Sequence, residues 1–221
     1  MKLLENVYCY LWDGYENNCN SFFFRDEISV LVDPGQALLI DRLIEKMAAD
    51  GWSLEDVDLV VNTHAHLDHC EGNARFLHND TVIAAMHPID EQYYHNGGAR
   101  LMRAMGREAP PLTLGGFLQE EICLGKITFQ VIHTPGHTPG GVCLYWPEGK
   151  VLVSGDTLFS HSIGRTDFPG ADPRKMRESL ENLAALDAEY ILPGHNDLVQ
   201  GREQVQKNFT MIQHLFFPML G

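Results

Sequence analysis

The chain has 221 residues, of which 44% are hydrophobic and 21% charged, the balance of a soluble globular protein with one substantial core. Its net charge of −14 and the lack of a basic stripe argue against a nucleic-acid partner. Because we find neither an apolar run of about 18 residues nor a signal-peptide pattern, we expect no membrane partner. Five cysteines without a CxxC pair indicate a reducing cytoplasm.

The first half of the sequence predicts short strands alternating with helices. Residues 7–33 predict a β meander, and residues 36–50 predict an amphipathic helix. Two further strands are predicted over Val57–Asn62 and Thr81–Met86, separated by a short helix over Gly72–His78. This alternation favours a mixed α/β architecture.

Later segments are less uniform. We interpret residues 88–118 either as a mobile flap over the functional site or as a helix packed on the edge of the fold. Asp172-Pro173 has the pattern of a helix N-cap followed by proline at the first helical position. The tail from Arg202 has helical spacing of apolar residues and predicts a docked terminal helix. We expect a single domain over residues 1–221.

The most distinctive segment is Thr63–His69, directly after a predicted strand. It places His64, His66 and His69 together with Asp68 in six residues. Imidazole and carboxylate groups are ligands of borderline divalent metals. His64 and His66 are two residues apart and can face the same way, whereas Asp68 and His69 must face elsewhere. The segment therefore suits two adjacent metal ions better than one.

Single histidines or aspartates also follow other apolar runs, each at a glycine- or proline-containing turn. These positions are Asp33, His137, Asp156 and His195. Strand ends that open into such loops commonly carry the functional groups of α/β proteins. Together with Thr63–His69 they predict a metal site.

In this order the elements resemble the metallo-β-lactamase superfamily, from about Asn20 to His195. The resemblance implies a four-layer αβ/βα sandwich with mixed β-sheets inside and helices outside. It implies that one metal is held by His64, His66 and His137. It implies that the second is held by Asp68, His69 and His195. Asp156 would bridge both ions, Asp33 would hold a ligand histidine by a hydrogen bond, and Asp68 would orient a metal-bound hydroxide.

Three stretches resemble the small glyoxalase II-like branch, which hydrolyses hydroxyacylglutathione thioesters. They are Thr134–Gly140, Gly155–Phe159 and Ser162–Gly170. Larger members carry a helical C-terminal domain that supplies basic residues for glutathione, whereas 26 residues follow His195 here. We therefore expect a dinuclear thioester hydrolase that binds the glutathione moiety weakly.

Beyond the ligands, we expect His161 and Arg165 to line the substrate pocket, although an ion pair between Arg165 and Asp167 is favoured over direct substrate contact. One alternative function is a persulfide dioxygenase with one iron held by His64, His137 and Asp156. Others are a lactonase with the same two-metal site and a metal-binding protein without turnover. The ligand types accept Zn, Fe or Mn. The expected partner is a small-molecule thioester or ester, and a homodimer is compatible with the sequence.

Overall fold

The computed structural model describes residues 1–77 and 81–221, and the element bounds below are those within these ranges. The strands are β1 (Lys2–Leu4), β2 (Val7–Tyr10), β3 (Ser21–Phe24), β4 (Val30–Val32), β5 (Leu59–Val61), β6 (Ile83–Met86), β7 (Gly116–Phe117), β8 (Glu121–Cys123), β9 (Thr128–His133), β10 (Val142–Trp146), β11 (Val151–Gly155), β12 (Leu158–Phe159), β13 (Ser162–Ile163), β14 (Tyr190–Pro193) and β15 (Val199–Gln200). The α-helices are α1 (Ile40–Ala49), α2 (Leu67–Cys70), α3 (Asn73–Phe76), α4 (Pro88–Tyr93), α5 (Ala99–Ala104), α6 (Pro173–Ala184) and α7 (Arg202–Leu220). A 3₁₀ turn lies at Leu54–Asp56, and a π-helical turn at Tyr94–Gly98 joins α4 to α5.

The strands form two mixed sheets. The first has the order β1-β2-β3-β4-β5-β6-β7, antiparallel from β1 to β4 and parallel from β4 to β7. The second has the order β15-β14-β11-β10-β9-β8, in which only the β11–β14 pair is parallel within the described chain. Strands β12 and β13 form a separate hairpin.

Alternation along the strands explains how the sheets pack. Phe22 and Phe24 of β3 lie in the core between the sheets, together with Phe129 and Leu144 of the second sheet. Phe23, the intervening residue, packs on the opposite face in the cluster that includes α1. Successive strand residues face opposite sides, so each central strand is apolar on both faces.

Helices cover both outer faces. Leu43 and Met47 of α1 pack on the first sheet, while Leu180 of α6 and Phe209 of α7 pack on the second. The layers are thus helix, sheet, sheet and helix, which confirms the predicted αβ/βα sandwich. Both sheets contribute side chains to one central hydrophobic cluster. The single domain over residues 1–221 stays a prediction.

Most predicted elements are present with shorter bounds. The meander over 7–33 is β2 to β4, and the structure adds β1 before it. Asp172 caps α6 as predicted, because its Oδ1 accepts hydrogen bonds from the backbone nitrogens of Arg174 and Lys175. The helix predicted over Gly72–His78 is α3, but its final residue, His78, lies outside the described residues.

Residues 88–118 are more regular than the sequence indicated. They contain α4, the π-helical turn, α5 and β7, which extends the first sheet. The interpretation of this segment as a mobile flap stays a prediction. No helix in the described ranges combines the length and the apolar character that crossing a bilayer requires.

Candidate metal centre

Loops after the strands of both sheets meet at one edge of the sandwich. In the first sheet β4 and β5 are parallel, with Val32 opposite Val61, so the loops carrying Asp33 and the Thr63–His69 segment emerge side by side. In the second sheet the parallel strands β11 and β14 deliver Asp156 and His195 in the same way. Sequence positions more than a hundred residues apart therefore converge.

Three histidines form the first cluster. His64, His66 and His137 are at most 9% exposed. Nδ1 of His66 lies 3.1 Å from Nε2 of His64 and 2.9 Å from Nε2 of His137. Ligand nitrogens around a tetrahedral metal with bonds of ~2.0–2.1 Å stand roughly 3.3 Å apart, so these three atoms could hold one ion.

The second cluster mixes carboxylate and imidazole groups. Nε2 of His195 lies 3.3 Å from Nε2 of His69 and 3.4 Å from Oδ2 of Asp68. Asp68 and His195 are 16% and 21% exposed, whereas His69 is fully buried. These three groups could hold a second ion on the solvent side of the first.

Asp156 lies between the two clusters. Its Oδ2 is 3.4 Å from Nε2 of His137 and 3.5 Å from Nε2 of His195, and its Oδ1 is 3.3 Å from Nε2 of His69. That Oδ1 is buried and has no hydrogen-bond partner within the described chain. A Cβ at position 194 would come within 2.7 Å of Cε1 of His69, so glycine is needed there. The unpartnered oxygen and the converging nitrogens fit divalent ions, because these ions accept lone pairs from both groups.

The ring nitrogens that face away from the clusters have partners of their own. Nδ1 of His69 lies 2.9 Å from Oδ2 of Asp33, and Nδ1 of His137 donates to the backbone oxygen of Arg165 at 2.8 Å. Asp33 also accepts from the backbone nitrogen and the hydroxyl of Thr63, at 2.8 and 2.6 Å. Such partners fix the orientation and tautomer of a ligand histidine.

The two clusters differ in charge. Burial lowers the pKa of His66 to about 3 and that of His64 well below its ordinary value, so these two side chains of the first cluster are neutral at pH 7. Burial opposes protonation of His195 as well, but Asp156 and Asp68 outweigh it and raise the pKa to about 9. Burial disfavours ionised Asp68, but the hydrogen bond with His195 and the charge of His69 lower its pKa to about 2.

Asp90 of α4 supports the loops from behind. It is fully buried, and its Oδ2 accepts from the backbone nitrogen of Ala65 at 2.8 Å and from the hydroxyl of Thr138 at 2.9 Å. Its Oδ1 accepts from the backbone nitrogen of Gly140 at 2.6 Å. Burial raises the pKa of this carboxyl to about 6, against the effect of those three hydrogen bonds. Asp90 thereby joins the His64–His66 loop to the His137 loop.

The seven predicted ligand residues all lie at this edge, and Asp33 lies behind them against His69. Their roles toward a metal stay a prediction. Arg165 lines the adjacent cavity and also forms the predicted ion pair, with Nη2 2.6 Å from Oδ2 of Asp167. The described lining of that cavity does not include His161. His161 is exposed at the turn between β12 and β13, where its backbone nitrogen donates to Oδ1 of Asn208 on α7. That contact holds the turn against α7.

Four further residues contact this edge without belonging to the predicted site. They are Asn17, Thr63, Asp90 and Tyr93. Nδ2 of Asn17 donates to Oδ2 of Asp68 at 2.6 Å, and the hydroxyl of Tyr93 lies 3.3 Å from Nε2 of His66. Only Thr63 had a local signal, because it directly precedes His64 in the motif.

Comparison with known proteins agrees with this geometry. A sequence profile of the Metallo-beta-lactamase superfamily matches residues 14–195. The crystal structure of TTHA1623 in a di-iron-bound form superposes with a TM-score of 0.70 at 33% identity, over 91% of this chain and 94% of that one. The BLEG-1 B3 metallo-beta-lactamase has the same fold, with a TM-score of 0.75 at 24% identity, over 97% and 99% of the two chains.

Two relatives of assigned function match more than four fifths of this chain. The probable metallo-hydrolase MJ0888 of Methanocaldococcus jannaschii is 27% identical over 84% of this chain and 91% of its own length. The hydroxyacylglutathione hydrolase of Brucella ovis is 34% identical over 82% of this chain, but the match spans 59% of that protein.

The fold and the convergent His/Asp edge define a metal-dependent hydrolase scaffold. The chain belongs to the metallo-β-lactamase superfamily, whose members bind divalent metals, and hydroxyacylglutathione hydrolases are among its relatives.

Proposed function

We propose that this protein is a dinuclear metal-dependent hydrolase that cleaves thioesters, in the manner of hydroxyacylglutathione hydrolases. The observation that carries the proposal is the position of Asp156, whose two oxygens face histidines of both clusters. One ion would be held by His64, His66 and His137, and the other by Asp68, His69 and His195. Asp156 would bridge them.

Two divalent ions at these positions would acidify a water molecule and polarise the substrate carbonyl. The residues of the chain supply orientation. Asp68 is ionised at neutral pH because its pKa is about 2, so its carboxylate can accept a hydrogen bond from the attacking water. Asn17 fixes that carboxylate by donating to Oδ2.

The reaction needs no general acid of the chain. The water oxygen forms a bond to the acyl carbon, the carbon–sulfur bond breaks, and the sulfur leaves with the electron pair as a thiolate. A thiolate is a good leaving group, so proton donation to it is not required. The carboxylic acid takes the oxygen and one hydrogen of the water, and the other proton goes to the solvent or to the released thiolate.

The relatives support the thioester class without fixing the substrate. The chain spans 59% of the length of the hydroxyacylglutathione hydrolases that it matches, so their substrate enters only as part of this proposal. Five free cysteines, four of them buried, agree with a reducing compartment, and we place the enzyme in the cytoplasm.

The test is elemental analysis combined with kinetics on one preparation. We expect about two equivalents of Zn, Fe or Mn per chain and hydrolysis of S-lactoylglutathione with a high KM. Saturation at one equivalent of iron, with oxygen consumed in the presence of glutathione persulfide, would replace the proposal with the dioxygenase alternative. Opening of lactones without thioester turnover would assign a lactonase instead.

A further inference from the structure

A cavity of about 460 Å³ opens directly beside the two clusters. His66, Asp68 and Asp156 contribute to its lining on the metal side. An apolar wall of this cavity comes from α5 and the residue after it, from the β12–β13 hairpin and from the loop that follows the hairpin. Its side chains are Leu101, Met102, Met105, Phe159, Ile163 and Phe168. The volume is that of a small-molecule site.

The charged side chains along this cavity already have partners. Nη2 of Arg107 lies 2.7 Å from Oε1 of Glu71. Both Nε and Nη2 of Arg165 donate to the carboxylate of Asp167, at 2.9 and 2.6 Å. Among the described residues that line the cavity, Arg107 and Arg165 are the ones with permanently positive side chains. Each is paired with a carboxylate, Arg107 with Glu71 and Arg165 with Asp167.

The guanidinium of Arg165 has a second contact that limits it further. Its Cζ lies 4.1 Å from the centre of the Phe168 ring, within cation–π range, so the group is held at the cavity wall by Phe168 as well as by Asp167. A substrate with two carboxylates would have to break these pairs or approach a chain of net charge −14 without them.

We propose that this cavity binds the uncharged, apolar acyl chain of the thioester, and that the enzyme prefers such substrates to S-lactoylglutathione. The inference rests on the proposed thioester hydrolysis and assigns its substrate class. Met102 and Met105 are flexible and polarisable, so the wall accommodates acyl chains of different length. An apolar chain gains from burial against this wall, whereas the six apolar side chains offer a lactoyl hydroxyl no hydrogen bond. The amide nitrogens of Asn17 and Gln36, which also line the cavity, already donate to Asp68 and to the backbone oxygen of Asn17.

The experiment crosses two acyl groups with two thiols. Hexanoyl and lactoyl thioesters are prepared on N-acetylcysteamine, which is uncharged, and on glutathione. We expect hexanoyl to exceed lactoyl in kcat/KM by at least about tenfold on either thiol, since each buried methylene contributes about fourfold. We expect N-acetylcysteamine to match or exceed glutathione. A preference for lactoyl on glutathione would overturn the inference and leave thioester hydrolysis intact.

Two variants test the named residues. Leu101→Asn removes apolar wall and should reduce the hexanoyl-over-lactoyl ratio several-fold, whereas Leu215→Asn, on the exposed side of α7, should not change it. Glu71→Gln releases Arg107 and should lower KM for the glutathione thioesters more than for the N-acetylcysteamine thioesters. An unchanged acyl ratio in Leu101→Asn would contradict the assignment of the wall.

A binding measurement separates this inference from the proposed function. Ketone analogues, in which a methylene replaces the thioester sulfur, cannot be hydrolysed by the same bond cleavage. The hexanoyl ketone should bind at least about tenfold more tightly than the lactoyl ketone and shift the ¹³C-methyl NMR signals of Met102 and Met105. This result without thioester turnover would reject the proposed function and retain the apolar site. Equal binding of the two ketones, with unshifted methionine signals, would reject the site.

Discussion

The two clusters at the sandwich edge both contain histidines but differ in how they hold protons. The histidines of the first are buried, and the low pKa values of His64 and His66 make them neutral. The second contains Asp68 and the partly exposed His195, whose pKa is about 9. A cation entering the first cluster therefore meets free lone pairs on His64 and His66, whereas one entering the second competes with the proton on His195. We expect the first position to fill before the second as pH rises.

The largest expected effect is from removing the group that the clusters share. Asp156→Ala should lower kcat/KM by more than the 10–100-fold typical of an outer partner and should leave at most one equivalent of metal. The reason is that one carboxylate faces both positions and holds their spacing. Elemental analysis and steady-state kinetics on the same preparation measure both effects.

His161→Ala is the matched control for that variant. His161 is five residues away in sequence but lies at an exposed turn against α7. The activity and metal content of the His161→Ala variant should remain within a few-fold of those of the parent protein. Losses of equal size in the two variants would show that the division between ligands and neighbours is wrong.

An intermediate effect on metal binding is expected from substituting Asp33, which contacts the outer ring nitrogen of His69 in the second cluster. Asp33→Asn replaces an acceptor of the His69 ring with an amide and should weaken metal binding by about 10–100-fold. Competition with a chromophoric chelator measures the affinity. Asp58→Asn is the control, because Asp58 caps the Ser29 nitrogen remote from the edge. If both variants bind metal as the parent does, Asp33 does not position His69.

The smallest effect is a pH response of the metal-depleted protein. The folded pKa of His195, about 9, lies above the ordinary 6.5, so its contribution to stability is fully present below pH 6.5 and lost as pH rises through 9. The advantage of the parent over His195→Gln in unfolding free energy should shrink by roughly 1–3 kcal/mol between pH 7 and 9.5.

Urea unfolding at several pH values checks this. His66→Gln is the matched comparison, because the pKa of His66 lies at about 3 and its protonation does not change in this window. Its difference from the parent should therefore stay constant between pH 7 and 9.5. Parallel pH profiles for the two variants would mean that the clusters do not differ in the way described.

The fold and the ligand positions were predictable because their signals are local. Each candidate ligand lies in the stretch that follows an apolar strand, and four of them occupy one six-residue segment. The αβ/βα sandwich followed from the resemblance that those positions carry. Strand bounds were less accurate, since polar residues such as Asp58 and Asn62 flank β5 without belonging to it.

The supporting residues could not be predicted because their partners are distant in sequence. Asn17 and Asp68 are 51 residues apart, and Asp90 reaches Gly140 across 50 residues. Nothing near Asp90 distinguishes it from a solvent-exposed helix residue until the fold buries it. His161 shows the converse case, because Phe159 and Ile163 on either side of its turn line the cavity, whereas His161 itself is exposed and is not part of the described lining.

The π-helical turn at Tyr94–Gly98 has a consequence for how this protein can change over evolutionary time. It holds one residue more than an α-helical turn would, and α5, with its apolar side chains, follows directly after it. Loss of a single residue there would rotate α5 by about 100° and present a different set of side chains to the cavity. The metal-facing residues lie on the strand-end loops and would keep their places. A one-codon deletion could therefore redirect substrate choice while the hydrolytic edge is inherited intact.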